Sequence, residues 1–151
     1  MNTSSSSVKK ITEFEGVRLK PYNDASGNAT VGVGHLIHRG PLDGTEVSIT
    51  EAQALSTFAS DLASKAETAV SRVRVPLNQN QFDALVSFCY NLGWGTLNSL
   101  VSETGLNQGK YEAVPPEILK YNKAHVNGVL VSVPGLTRRR QWEAMMFSKA
   151  V

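Results

Sequence analysis

One cysteine, Cys89, stands alone in 151 residues, so no internal disulfide can form. Such a chain is expected to fold in a reducing compartment. No apolar run approaches the roughly 18 residues that a membrane span requires. The opening "MNTSSSSVKK" lacks the apolar core of a secretion signal; it starts polar and is expected to be flexible. Strong charge is missing too: 19% of residues are charged and the net charge is +2. That balance excludes a disordered or strongly basic chain, and it only weakly favours an anionic partner such as a bacterial wall or a nucleic acid. There is no internal repeat and no low-complexity run beyond Ser4–Ser7. What is present is a 41% hydrophobic chain, enough for one domain or two small lobes sharing a core.

Val8, Ile11 and Phe14 recur at helical spacing, with Ser7 as a cap and Gly16 suited to the left-handed position past the end. They predict a helix over Val8–Glu15. From Leu19 to Val33 the pattern changes to short strands reversed at Ser26-Gly27-Asn28, a small β-hairpin lobe extending to Ile49. Thr50 and Gln53 form a capping box. Behind it Leu55, Phe58, Ala59, Leu62, Ala66, Ala69, Val70 and Val73 trace one apolar stripe. That predicts a helix of roughly 23 residues, about 35 Å long and able to connect two lobes, with Pro76 as its stop. Asn78 caps a buried central helix carrying Phe82, Leu85, Val86, Cys89 and Leu92, which ends at Gly93. Shorter helices are expected over Leu97–Leu106 and Pro116–Lys123, a tight turn at Asn127-Gly128 between Val126 and Val129, and a final helix over Leu136–Ser148. The fold class is α+β, mostly α. The boundaries are an N-terminal helix and β lobe at 8–49, a connecting helix at 50–74 and a helical lobe at 75–151.

Glu15 falls at the C-terminal end of the first predicted helix. The unpaired carbonyls there disfavour an ionised carboxylate, and packing against Phe14 adds desolvation in the same direction. A carboxylic acid kept protonated is what a general acid needs. Asp24 sits in a polar turn beside Asn23 and Ser26, where ionisation is easy. Two carboxyls driven apart in this way match acid–base cleavage of a glycosidic bond. From spacing alone a blander reading also stands: a solvated helix-end glutamate and a turn-forming aspartate. Thr30 heads the second strand, where its hydroxyl could hold a water beside Asp24. Gly32 and Gly34 keep the backbone thin enough for a bulky polymer to approach.

The whole stretch "EGVRLKPYNDASGNATVGVGH", Glu15 to His35, resembles the phage-type lysozyme (endolysin) family. The family's pattern is E-G-x-R-L-x-x-Y-x-D followed by G-x-x-T-x-G-x-G-H, and every fixed position is present. "ITEAQALSTFASDL", "LNQNQFDALVSFCYNLGWG" and "GLTRRRQWEAMMF" resemble the family's connecting helix, central helix with its glycine turn, and C-terminal segment. Coverage runs from Lys10 to Lys149. Two departures stand out. Tyr121-Asn122 occupies a place where many relatives have Trp-Asn, and "HVNGVLVSVPGL" is slightly longer than the usual loop. Both bear on the rim of the substrate cleft.

The resemblance implies a lysozyme-like fold with the active-site cleft between the lobes. It also implies hydrolysis of the β-1,4 bond between N-acetylmuramic acid and N-acetylglucosamine in peptidoglycan. Glu15 would donate the proton to the leaving oxygen, Asp24 would activate a water or stabilise the transition state, and Thr30 would position the water. The resemblance favours inversion. Gly34, His35 and Asn91 would contact substrate, with Asn91 also readable as part of the helix cap beside Gly93. His35 and His38 lack a complete ligand set and are read as non-metal residues, His35 fixing the loop near Glu15. No cofactor is expected. Among Arg138, Arg139 and Arg140 one is expected to turn inward towards Glu15 and the others to be solvated. Trp94, Trp142 and Phe147 are expected in the core. The partners implied are peptidoglycan and a holin-type protein for release. No nucleic acid, no stable membrane association and a monomeric state are expected, with synthesis in the host cytoplasm and action at the wall. The rivals are a lytic transglycosylase, which needs only the acid, a non-catalytic peptidoglycan-binding domain, and a nucleic-acid binder resting on Arg138–Arg140.

Overall fold

The computed structural model describes residues 1–150 and divides the chain into two compact units. One unit is Ser5–Ala63; the other combines Met1–Ser4 with Ser64–Val151.

The Ser5–Ala63 unit opens with α1 (Ser5–Glu15). This helix begins two residues before Ser7, which lies buried inside it instead of capping it. Gly16, whose N–H closes the last helical bond to the Thr12 carbonyl at 2.8 Å, turns the chain out of the helix at φ 77°, a left-handed conformation that glycine adopts without strain. Three antiparallel strands follow in the order β1 (Arg18–Asn23), β2 (Ala29–Gly32), β3 (His35–His38). Pro21 is tolerated because β1 is an edge strand, whose outer face needs no ladder donor. The central β2 is buried along its length, and Tyr22 pairs with Thr30 across the first ladder. The chain then runs without regular structure to Ile49, whose N–H returns to the Leu19 carbonyl at 3.0 Å.

The Thr50–Gln53 capping box is present and starts α2 (Glu51–Leu62). The expected uninterrupted helix is not. A π-helical turn occupies Ala63–Glu67, followed by α3 (Thr68–Val70). The apolar stripe also falls differently: Leu55 is exposed, as is Ala59, and the buried positions are Ala54, Phe58, Leu62, Ala66 and Val70. These are four apart throughout, whereas an α-helix completes a turn in 3.6 residues, so a strict four-residue stripe drifts round it. The wider π turn offsets that drift.

In the second unit, Asn78 and Gln81 form a capping box at the start of α4 (Gln79–Leu92), in which every residue from Phe82 to Cys89 is buried. Then come α5 (Trp94–Thr104), α6 (Val114–Ile118), the hairpin β4 (Lys123–Val126) and β5 (Val129–Ser132), and α7 (Pro134–Ser148). The helix expected over Pro116–Lys123 gives way after Ile118, and Lys123 starts β4. The turn Asn127-Gly128 joins the strands with both φ values positive, 52° and 79°, as a two-residue hairpin needs. Starting α7 at Pro134 rather than Leu136 uses proline's fixed φ at a position where no N–H is required. The opening residues, expected to be flexible, are held: Thr3 N–H donates to Glu67, and Ser4 donates through its N–H and hydroxyl to Asp83, a fully buried residue of α4.

Candidate active site

Glu15, Asp24, Thr30, Gly34 and His35 all fall in the Ser5–Ala63 unit, on α1, the β1–β2 turn, β2, the β2–β3 turn and β3. Asn91 lies in the last turn of α4, in the other unit.

Glu15 is the last residue of α1 and is half-buried, among carbonyls that have no helical partners beyond them. Asp24 folds the turn after β1 around its own side chain. Its Oδ1 accepts the N–H of Ser26 at 2.8 Å and of Asn28 at 2.9 Å, while the Asp24 and Asn28 backbones pair at 2.9 Å. The turn-forming reading of Asp24 is therefore right for one oxygen, and Oδ2 remains clear of those two bonds. Thr30 is buried at 3% exposure and its hydroxyl donates to the Asn28 carbonyl at 2.9 Å. With that hydrogen committed, Thr30 Oγ1 offers lone pairs to whatever approaches it.

His35 Nδ1 lies 2.7 Å from Asp61 Oδ2, so its defined partner is a carboxylate on α2. The expected loop-fixing bond of His35 is thus made to Asp61. Nothing in the spacing of Asp61 had marked it. Gly32 is buried, and a Cβ there would sit 3.3 Å from Ile49 Cδ1 and 3.4 Å from Ala54 Cβ. Its lack of a side chain serves packing against α2 and not the approach of a polymer. Gly34 is exposed at φ 66°, a conformation that glycine adopts without strain.

The arginine run also differs from expectation. Arg139 and Arg140 are both buried on α7; Arg138 is exposed. Arg140 Nε lies 2.6 Å from Glu143 Oε1 and its Nη2 donates to Oε2 at 3.0 Å. Arg139 Nε lies 3.5 Å from the same Oε2 and donates to Ser87 Oγ at 3.2 Å. Burial pushes the Glu143 carboxyl upward, opposed by Arg140, then Arg139 and Ser87. The inward side of α7 is thus an ion-paired cluster, where simple amphipathicity had suggested one inward arginine. Phe147 is buried as expected and Trp142 half-buried, whereas Trp94 is 66% exposed at the start of α5 and lies outside the core.

The mixed fold of helices and small antiparallel sheets is that of the lysozyme class. The family model for phage lysozyme matches residues 12–143, and the chain belongs to that family. It is 35% identical over 150 residues to an endolysin of Acyrthosiphon pisum secondary endosymbiont phage 1, covering 99% of this chain and 100% of the relative. Its fold matches an endolysin from Escherichia coli O157:H7 phage FAHEc1 with a TM-score of 0.84 at 32% identity, covering 100% of this chain and 96% of the other. It also matches the muramidase domain of SpmX from Asticaccaulis excentricus with a TM-score of 0.85 at 29% identity, over 99% of both chains. The protein is an endolysin-type lysozyme, and its function is lysis of the bacterial cell wall. A lytic transglycosylase is not favoured.

Proposed function

We propose that Glu15, Asp24 and Thr30 hydrolyse the β-1,4 bond between N-acetylmuramic acid and N-acetylglucosamine in peptidoglycan. The observation that carries this reading is the pair of bonds made by Asn28, whose N–H holds Asp24 Oδ1 and whose carbonyl holds the Thr30 hydroxyl. Glu15 gives its proton to the glycosidic oxygen as the bond to the anomeric carbon breaks. A water donates one hydrogen to Asp24 Oδ2 and the other to Thr30 Oγ1, and its free lone pair attacks the anomeric carbon from the opposite face. Asp24 ends with the proton that Glu15 has lost, and configuration is inverted.

Gly34 and His35 contact the glycan in this reading. Asn91 accepts the N–H of an N-acetyl group, which is supported by its Oδ1 being buried without a hydrogen-bond partner among the described residues. Such an acceptor is costly to leave unmade.

Mass spectrometry of peptidoglycan digested in ¹⁸O-water tests the reaction. Reducing muramic ends that carry the label are expected; anhydro-muramic ends would overturn it.

The enzyme acts as a monomer, is made in the host cytoplasm, and reaches the wall once a hole-forming protein opens the membrane. Among the described residues no helix is long and apolar enough to cross a membrane. Expression alone is expected to leave cells intact, with prompt lysis on co-expression of a membrane-disrupting protein. Lysis that depends on the secretion machinery instead would overturn this route.

A further inference from the structure

Three metal-ligating side chains converge on the loop that follows β3. His38 Nε2 lies 2.6 Å from Glu46 Oε2 and 3.8 Å from Asp43 Oδ2. All three ligand atoms lie within 4.8 Å of one another. The bonds around them show which atoms remain to bind. His38 Nδ1 is 2.9 Å from the Arg39 carbonyl oxygen, which can only accept, so Nδ1 carries a hydrogen and Nε2 is the ring atom turned to the two carboxylates. Asp43 Oδ1 accepts the Thr45 N–H at 3.0 Å and hydroxyl at 2.6 Å, leaving Oδ2 towards His38. Glu46 accepts the N–H groups of Asp43 at 3.0 Å and Gly44 at 3.1 Å. At 2.6 Å a proton bridges Nε2 and Glu46 Oε2, and a metal ion bound here takes that proton's place.

We propose that His38, Asp43 and Glu46 form a binding site for a divalent transition-metal cation of the zinc type, which clamps the loop after β3. The donors choose the metal. Imidazole nitrogen suits zinc and disfavours calcium and magnesium, and two carboxylates neutralise a dication. Zinc bonds to nitrogen and oxygen near 2.0–2.2 Å in a tetrahedral site set ligand atoms roughly 3.3 Å apart. The spacings of 2.6 Å and 3.8 Å from His38 bracket that value, so small side-chain shifts admit the ion. Glu46, at 4% side-chain exposure, is the fixed ligand, while Asp43 at 56% and His38 at 32% leave a path for the ion and for water in the fourth position. The amides of Asp43 and Gly44 and the hydroxyl of Thr45 orient the carboxylates, as outer groups do in metal centres. The loop is tethered besides, Gly40 N–H donating to Asn28 Oδ1 at 3.0 Å and Leu42 N–H to Asn23 Oδ1 at 2.8 Å.

Calorimetric titration of chelator-stripped protein with zinc chloride, with the Tm measured at each stage, tests the site. One equivalent of zinc is expected to bind and to raise the Tm, whereas calcium and magnesium chlorides do neither. His38→Ala and Asp43→Asn are each expected to weaken binding at least about 10-fold. Thr45→Val keeps all three ligands and removes only a hydroxyl that orients Asp43, for a loss of about 10-fold. His125→Ala, on β4, should leave binding unchanged. No saturable zinc site in the wild type, or binding undiminished in both Asp43→Asn and Thr45→Val, would overturn the proposal. Metal-free Tm values equal to wild type exclude misfolding as the cause of any loss.

Discussion

Asp24 and Thr30 are held by the two ends of one residue's backbone: Asn28 N–H donates to Asp24 Oδ1, and the Thr30 hydroxyl donates to the Asn28 carbonyl, each at 2.9 Å. The turn therefore orients a carboxylate and a hydroxyl together, the pre-orientation that the proposed mechanism uses. If both hold one water, removing either misplaces it. Asp24→Asn and Thr30→Ala are expected to be non-additive in wall lysis, with a coupling of about 1–3 kcal/mol in a double-mutant cycle. Losses that simply multiply would assign Thr30 to shaping the turn alone.

Glu15→Gln keeps the shape of the helix-end side chain and removes the transferable proton. Lysis is expected to fall by at least about 10²-fold with the Tm unchanged. Wild-type lysis by this variant would remove Glu15 from the mechanism.

Glu143 is fully buried beside the guanidiniums of Arg139 and Arg140, both buried. Glu143→Ala removes the carboxylate that both arginines share, and a loss of about 3–5 kcal/mol in urea unfolding is expected. A loss under about 1 kcal/mol would show that the other partners of Arg139 and Arg140 suffice without it.

Cys89 is 1% exposed, and burial pushes its thiol up to about 11. Alkylation at pH 8 is expected to be at least about 100-fold slower in the native protein than in denaturant, because the thiolate is the reactive form. Comparable rates would show that α4 opens readily.

The features legible in the sequence are those whose hydrogen bonds close within a few residues. Thr50 with Gln53, and Asn78 as a cap, announce helix starts because the bonds they make close within three positions. Gly16 and Asn127-Gly128 announce reversals because few other residues adopt positive φ cheaply. The acid, aspartate and threonine lie within sixteen residues, so their pattern survives as a motif.

Whatever depends on which faces meet was decided only in three dimensions. His35 and His38 are three apart in sequence, yet one turns to Asp61 and the other to Asp43 and Glu46. The arginine run looked like solvated charge around one inward residue until α4 and α7 packed Ser87 and Glu143 beside it. Trp94 looked like core by its size alone, but its place at the start of α5 leaves it exposed. The sequence alone determines the local conformational preferences and the order of chemical groups, because these follow from short-range sterics and hydrogen bonds. Only the tertiary structure decides which polar groups are buried, since desolvation is offset by partners drawn from distant parts of the chain.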